Sequence, residues 1–143
     1  MIALAQIGRI DLLRRLHDRI IIPPRVANEI MPSVPMLPEW VEVFELTQPL
    51  RPLTVGAAIG PGEREVISLG LELNPSRLIL DEQPARRPAL SLGLRVIGTV
   101  GLLLAAKERG FLAQVKPELD RLLTVRFFMD QHLYTTALRL AGE

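Results

Sequence analysis

From Gly62 to Leu73 apolar residues return at helical spacing. A few positions after the stop at Asn74-Pro75, the chain switches to the apolar run Leu78-Ile-Leu80. A one-faced helix followed so closely by a buried strand calls for a helix lying against a sheet, and this feature limits the possible folds more than any other. Val66, Ile67, Leu69, Gly70 and Leu73 make one broad apolar face, and Asn74-Pro75 supplies the break.

The same alternation extends in both directions. Residues 2–8 and 11–17 read as two helical pieces broken at Gly8, the second carrying Leu12, Leu13 and Leu16 on one side. Ile20-Ile-Ile22 is a β-branched run halted by Pro23-Pro24, hence a short buried strand. Pro24 then suits the first turn of a helix through Met31. Val41 to Leu46 partly alternates and reads as a more exposed edge strand.

Beyond Asn74 the order is strand Arg77–Leu80, helix to Leu92 with Pro88 expected to kink it, and strand Arg95–Ile97. Three helices follow: Val100–Arg109 capped by Thr99, Pro117–Leu123, and a last one capped by Asp130 and running through Leu140. Strand and helix alternate through most of the length. The expected fold is α/β, with a mostly parallel sheet and helices on both faces.

Composition narrows the chemistry. A chain of 143 residues with 48% hydrophobic content is expected to form one domain, burying roughly 68–70% of the surface its unfolded form exposes. Cysteine is absent, which removes disulfides, thiolate nucleophiles and cysteine-type zinc sites and fits a reducing cytosol. The net charge of +1 leaves nucleic-acid contact to local basic pairs such as Arg14-Arg15 and Arg86-Arg87. The apolar stretch Val96–Ala106 falls short of the roughly 20 residues a membrane span needs, and the first residues lack the basic leader and cleavage site of a secretory signal. His17 and His132 have no partner at metal-ligand spacing and read as surface residues. No serine sits in a nucleophile elbow, and no glycine loop has a phosphate-binding pattern.

Acids at element ends are what remain. Glu63 shares its helical face with Val66, Ile67 and Gly70, so its carboxylate lies at the end of the apolar stripe, whereas Glu65 lines up with Ser68 and Glu72 and reads as exposed. Asp81 and Glu82 end a buried strand, where ligand sites of open α/β sheets lie. Glu29 sits on the short helix that follows Ile20–Ile22. Each acid also has a plainer reading: Glu63 as a partner of the helix dipole, Asp81 and Glu82 as turn and cap, Glu29 as a half-exposed surface glutamate. Together they point to a hard metal ion and to phosphodiester cleavage as the chemistry to test.

The order of Ile2–Leu13, Ile22–Ile30, Pro38–Val41, Gly60–Ile67, Leu80–Arg86, Gly98–Gly101 with Ala106–Gly110, and Ala141–Glu143 resembles the PIN-domain superfamily, in its branch of short prokaryotic proteins akin to VapC-type toxins. The resemblance implies a three-layer, Rossmann-like α/β/α sandwich in one domain over residues 1–143. It also implies a cytoplasmic ribonuclease of the toxin–antitoxin type using Mg²⁺ or Mn²⁺ on an RNA substrate. Its metal positions fall on Glu29, Glu63 and Asp81, with Glu82 as an auxiliary catalytic acid and Arg86 touching substrate phosphate. A small antitoxin protein and a homodimer or higher oligomer are the implied partners. The family's usual first strand, which ends in an aspartate, has no counterpart in this sequence. On that account the expectation is a nuclease that is weak or inactive in this form and active if an upstream strand supplies the aspartate, or else a non-catalytic binding module with an interrupted sheet.

Overall fold

The computed structural model describes residues 1–48 and 58–143. The chain divides into two compact units, Met1–Asp18 with Thr99–Glu143, and Arg19–Gly98.

The second unit holds all the described strands. It begins with β1 (Ile20–Ile22), α3 (Pro24–Ile30) and β2 (Val41–Val43), following the two N-terminal helices α1 (Ile2–Gln6) and α2 (Asp11–Leu16) of the other unit. It continues with α4 (Pro61–Leu73), β3 (Leu78–Ile79), α5 (Gln83–Ser91) and β4 (Val96–Ile97). β1 pairs in parallel with β2, Ile20 opposite Val41, and β3 pairs in parallel with β4, Leu78 opposite Val96. Parallel neighbours need a crossover, and α3 and α5 supply one each, so the unit consists of two strand–helix–strand modules.

Helix α4 packs on α3 of one module and on α5 and β3 of the other. Its approach to β3 is close because Gly70 has no side chain: a β-carbon there would stand 2.8 Å from both Leu78 methyl groups. Around this contact Ile59, Ile67, Leu78, Leu80, Ala85, Ala89 and Leu94 form the buried core, with Val66 and Val96 at its margin. Asn74 ends α4 in the left-handed conformation (φ 43°) that asparagine tolerates, its amide donating to the Gly70 carbonyl.

The α/β class and the parallel direction of the strands agree with the sequence. A single continuous sheet is not what the described residues form: the strands fall into two separate two-stranded ribbons, and no described strand joins them. The edge strand expected to reach Leu46 stops at Val43. The Phe44 amide still donates to the Ile22 carbonyl (3.0 Å), but the amides of Thr47 and Gln48 turn to the Glu72 carboxylate instead (3.0 and 2.8 Å). Those bonds, the one from Gln48 foremost, hold Glu72 below the usual carboxylate pKa. Helix α5 runs through Pro88 without ending. Thr99 is the first residue of the next helix, not a cap outside it, and His17 is half-buried, not a surface residue.

The first unit is helical: α1, α2, α6 (Thr99–Glu108), α7 (Lys116–Thr124) and α8 (Gln131–Ala141), with α6 packed on α2 and α8. Gly8, with φ +70°, makes the expected break after α1, and Asp130 caps α8 by accepting from the Leu133 amide (2.7 Å). The buried Glu118 is paired with Arg9 (2.7 Å) and Arg121 (3.2 Å), which offsets its loss of hydration.

Glu143 ties the end of this unit to the start of α7. Its carboxylate accepts from Lys107 Nζ (2.6 Å) and from the amides of Val115 (2.7 Å) and Lys116 (2.9 Å). These bonds, led by the one from Lys107, pull its pKa from 4.5 to about 2. An acid depressed in the folded state contributes stability above its unfolded pKa and loses it as pH falls through the folded one. The stability difference between the native chain and Glu143→Gln is therefore expected at pH 7 and should fade to nothing between pH 4.5 and about 2. Urea unfolding of both proteins across that range checks it.

Candidate functional site

The acids singled out by sequence all lie in the Arg19–Gly98 unit. Pro23 leads into α3 from β1 in extended conformation, and Pro24 occupies its first turn, so the helix starts at once and carries Glu29 in its last turn. The side chain of Glu29 is about half exposed and lies 3.8 Å from Arg25 one turn earlier, a spacing at which an exposed pair adds little. Its carboxylate is laid over the α-carbon of Gly62: a β-carbon there would be 2.9 Å from Oε1 and 3.0 Å from the carboxyl carbon. Gly62 itself is buried.

Glu63, the next residue, is half-buried in the first turn of α4, and its carboxylate reaches back over Gly60, the residue that precedes the helix. A first-turn glutamate folded back in this way lies at the positive end of the helix dipole, which favours its charge. Two acids 34 positions apart in sequence thus meet the opening of one helix. The same helix also touches α3 through Glu65, which accepts from the Arg25 amide (3.1 Å) and is half-buried, not exposed as its position in the sequence suggests.

Asp81 and Glu82 follow β3 and precede α5, both exposed. Asp81 lies beside Gly98, the residue after β4: a β-carbon there would be 3.1 Å from Asp81 Oδ1, 2.9 Å from Arg86 Nη1 and 3.5 Å from the Leu80 carbonyl oxygen. Arg86 is half-buried and donates from Nη1 to that carbonyl (2.9 Å), which ties α5 back to the end of β3. Asp81 and Arg86 therefore face one recess at the strand ends, while Glu82 precedes the first residue of α5 in extended backbone.

Among the described residues no group of three or more histidine, aspartate or glutamate side chains is gathered as a metal cage. The arrangement is a pair, Glu29 and Glu63, at the start of α4, and an Asp81–Arg86 pair at the ends of β3 and β4. Pairs still suit Mg²⁺, which keeps much of its water and binds through one or two carboxylates with substrate phosphate completing the shell. The donor set is oxygen only, as a hard ion requires.

Sequence reading missed the glycines. Gly62 and Gly98 are outside the left-handed region, so their backbone does not call for glycine, and only the tertiary structure shows which side chains use the space. The available signal was a glycine placed in the first turn of a helix, where most residues do better.

The Arg86 bond to Leu80 has a measurable consequence. Its loss in Arg86→Ala is expected to lower the unfolding free energy by about 1–2 kcal/mol, the range for a charged donor in a half-buried bond. Urea denaturation reads this directly, and an unchanged midpoint would show that the bond does not hold α5 to β3.

A family model described as a PIN domain (DUF3368) matches residues 1–143. No curated protein and no solved structure matches the chain. None of the described helices is long and apolar enough to cross a membrane.

Proposed function

The chain belongs to the PIN-domain family, and from that premise we propose that it is a metal-dependent ribonuclease of the toxin–antitoxin type, working with Mg²⁺ or Mn²⁺. The observation that carries this reading is the placement of the Glu29 carboxylate, from α3, over Gly62, with the Glu63 carboxylate over Gly60 at the start of the same helix. The helix dipole favours a carboxylate at that opening, and two acids brought to one helix start also suit a hard cation.

In this reading Glu29 and Glu63 hold the cation and Asp81 holds it from the strand side. A divalent ion bound there supplies the positive charge that a phosphodiester needs as it is attacked. Glu82, exposed at the start of α5, orients the attacking water and accepts its proton. Arg86 spends one of its five N–H donors on Leu80 and would turn others on the guanidinium edge to substrate phosphate. These few carboxylates suit a divalent ion that keeps part of its water shell and completes it with substrate phosphate.

The absence of a three-acid group among the described residues favours a second reading, a PIN-like module that binds an antitoxin or a second copy without catalysis. Phe128, 91% exposed, and Leu133 and Leu140, two turns apart on α8 and also exposed, support a covered surface under either reading. Sedimentation is expected to show concentration-dependent association, and a monomer at every concentration would rule out self-association through this surface.

Cleavage of single-stranded RNA with added Mn²⁺ decides between the two readings. The nuclease reading expects Mn²⁺-dependent cleavage that Asp81→Asn strongly lowers, because the substitution removes a ligand charge from the ion. Silence from both proteins supports the binding module, and equal cleavage by both means that Asp81 has no part in the chemistry.

A further inference from the structure

The described glycines sort by what they do. Gly8, Gly93, Gly110 and Gly142 have φ between +70° and +80°, and nothing lies within 4 Å of the place a β-carbon would occupy, so they serve the backbone alone. Gly62 and Gly98 are the opposite case: their φ lies outside the left-handed region, yet a β-carbon would collide with charged side chains. At Gly62 the three nearest atoms all belong to the carboxyl group of Glu29, which comes from another helix 33 positions earlier. In a helix glycine is the poorest choice after proline, so the position sacrifices helix propensity for room.

We propose that Gly62 is a positioning residue for Glu29, holding open the recess that seats this carboxylate at the start of α4 beside Glu63. The inference rests on the proposed metal site for its functional meaning, while the seating itself stands on the geometry. Alanine fits the helical backbone at position 62 and improves its propensity. What it removes is the space for one carboxylate, and Glu29, half exposed, swings out toward solvent and Arg25. Gly98 offers a parallel case at the strand ends, where Asp81 and Arg86 fill the space.

The test uses the full chain and three variants: Gly62→Ala, Glu29→Gln, and Gly62→Ala combined with Glu29→Asp. Calorimetric titration with Mn²⁺ is expected to show at least a tenfold loss of affinity in Gly62→Ala with cooperative unfolding retained, and partial recovery in the double variant, whose shorter acid clears the added methyl. If Glu29→Gln weakens Mn²⁺ binding and Gly62→Ala leaves it unchanged, the positioning role is wrong while the metal site survives. If the native chain binds no Mn²⁺, the metal site is wrong. The carboxyl carbon resonance of Glu29 in metal-free protein then decides the seating: a shift in Gly62→Ala supports it, and an unmoved resonance overturns it. Should Gly62→Ala fail to fold, the variant that also carries Glu29→Ala is expected to fold, because the three atoms nearest the added methyl are gone; a second failure overturns the proposal.

Discussion

Everything in the Arg19–Gly98 unit depends on how closely one helix can be laid against its neighbours. Helix α4 touches α3 of one strand–helix–strand module and α5 and β3 of the other, and two of its glycines make those contacts possible. Gly70 lets the helix sit on Leu78, which closes the apolar core; Gly62 admits the carboxylate of Glu29 at the helix start. Dense packing makes such spaces discrete: a single methyl group either fits or displaces something. Core and candidate site are thus two ends of one packing arrangement, apolar toward Leu73 and acidic toward Pro61.

The electrostatics of the site follow from the same arrangement. Two carboxylates lie at one helix start, where the positive end of the helix dipole favours negative charge. Arg25 stands 3.8 Å from Glu29, too far and too exposed to neutralise it firmly. On the strand side Arg86 is closer to its acid's recess and is held by a backbone carbonyl, so its charge is fixed in place. One half of the site is short of positive charge and the other half carries its own. A divalent cation placed toward α4 would balance the first, and a phosphate group drawn toward Arg86 would meet the second.

Much of the fold was legible in the sequence because its signals are local. Pro23-Pro24, Asn74-Pro75, Gly8 and Gly110 mark element ends whatever surrounds them, and the apolar period of α4 has no competing reading. Where tertiary bonds compete with local preference, the sequence read less well. The β2 strand ends earlier than its alternation suggests, and nothing local reveals that Glu72 takes the Thr47 and Gln48 amides just beyond it. The acids themselves were identifiable from their places at element ends, Glu63 by its apolar face and Asp81 by the strand before it. Their seating was not, since the recesses are made by residues whose defining property is the absence of a side chain. The division of the strands into two ribbons was hidden as well, because pairing partners are a long-range property.

On the proposed function, the acid pair at the start of α4 and Asp81 at the ends of β3 and β4 serve a divalent ion. The most direct test is paramagnetic broadening by trace Mn²⁺ in isotope-labelled protein, which marks the amides nearest the ion without asking for catalysis. The account expects selective broadening around Glu29, Gly62, Glu63 and Asp81, reversed by excess Mg²⁺. Broadening centred on other acids, such as Glu118 or Asp120, or uniform broadening with no focus, would contradict it.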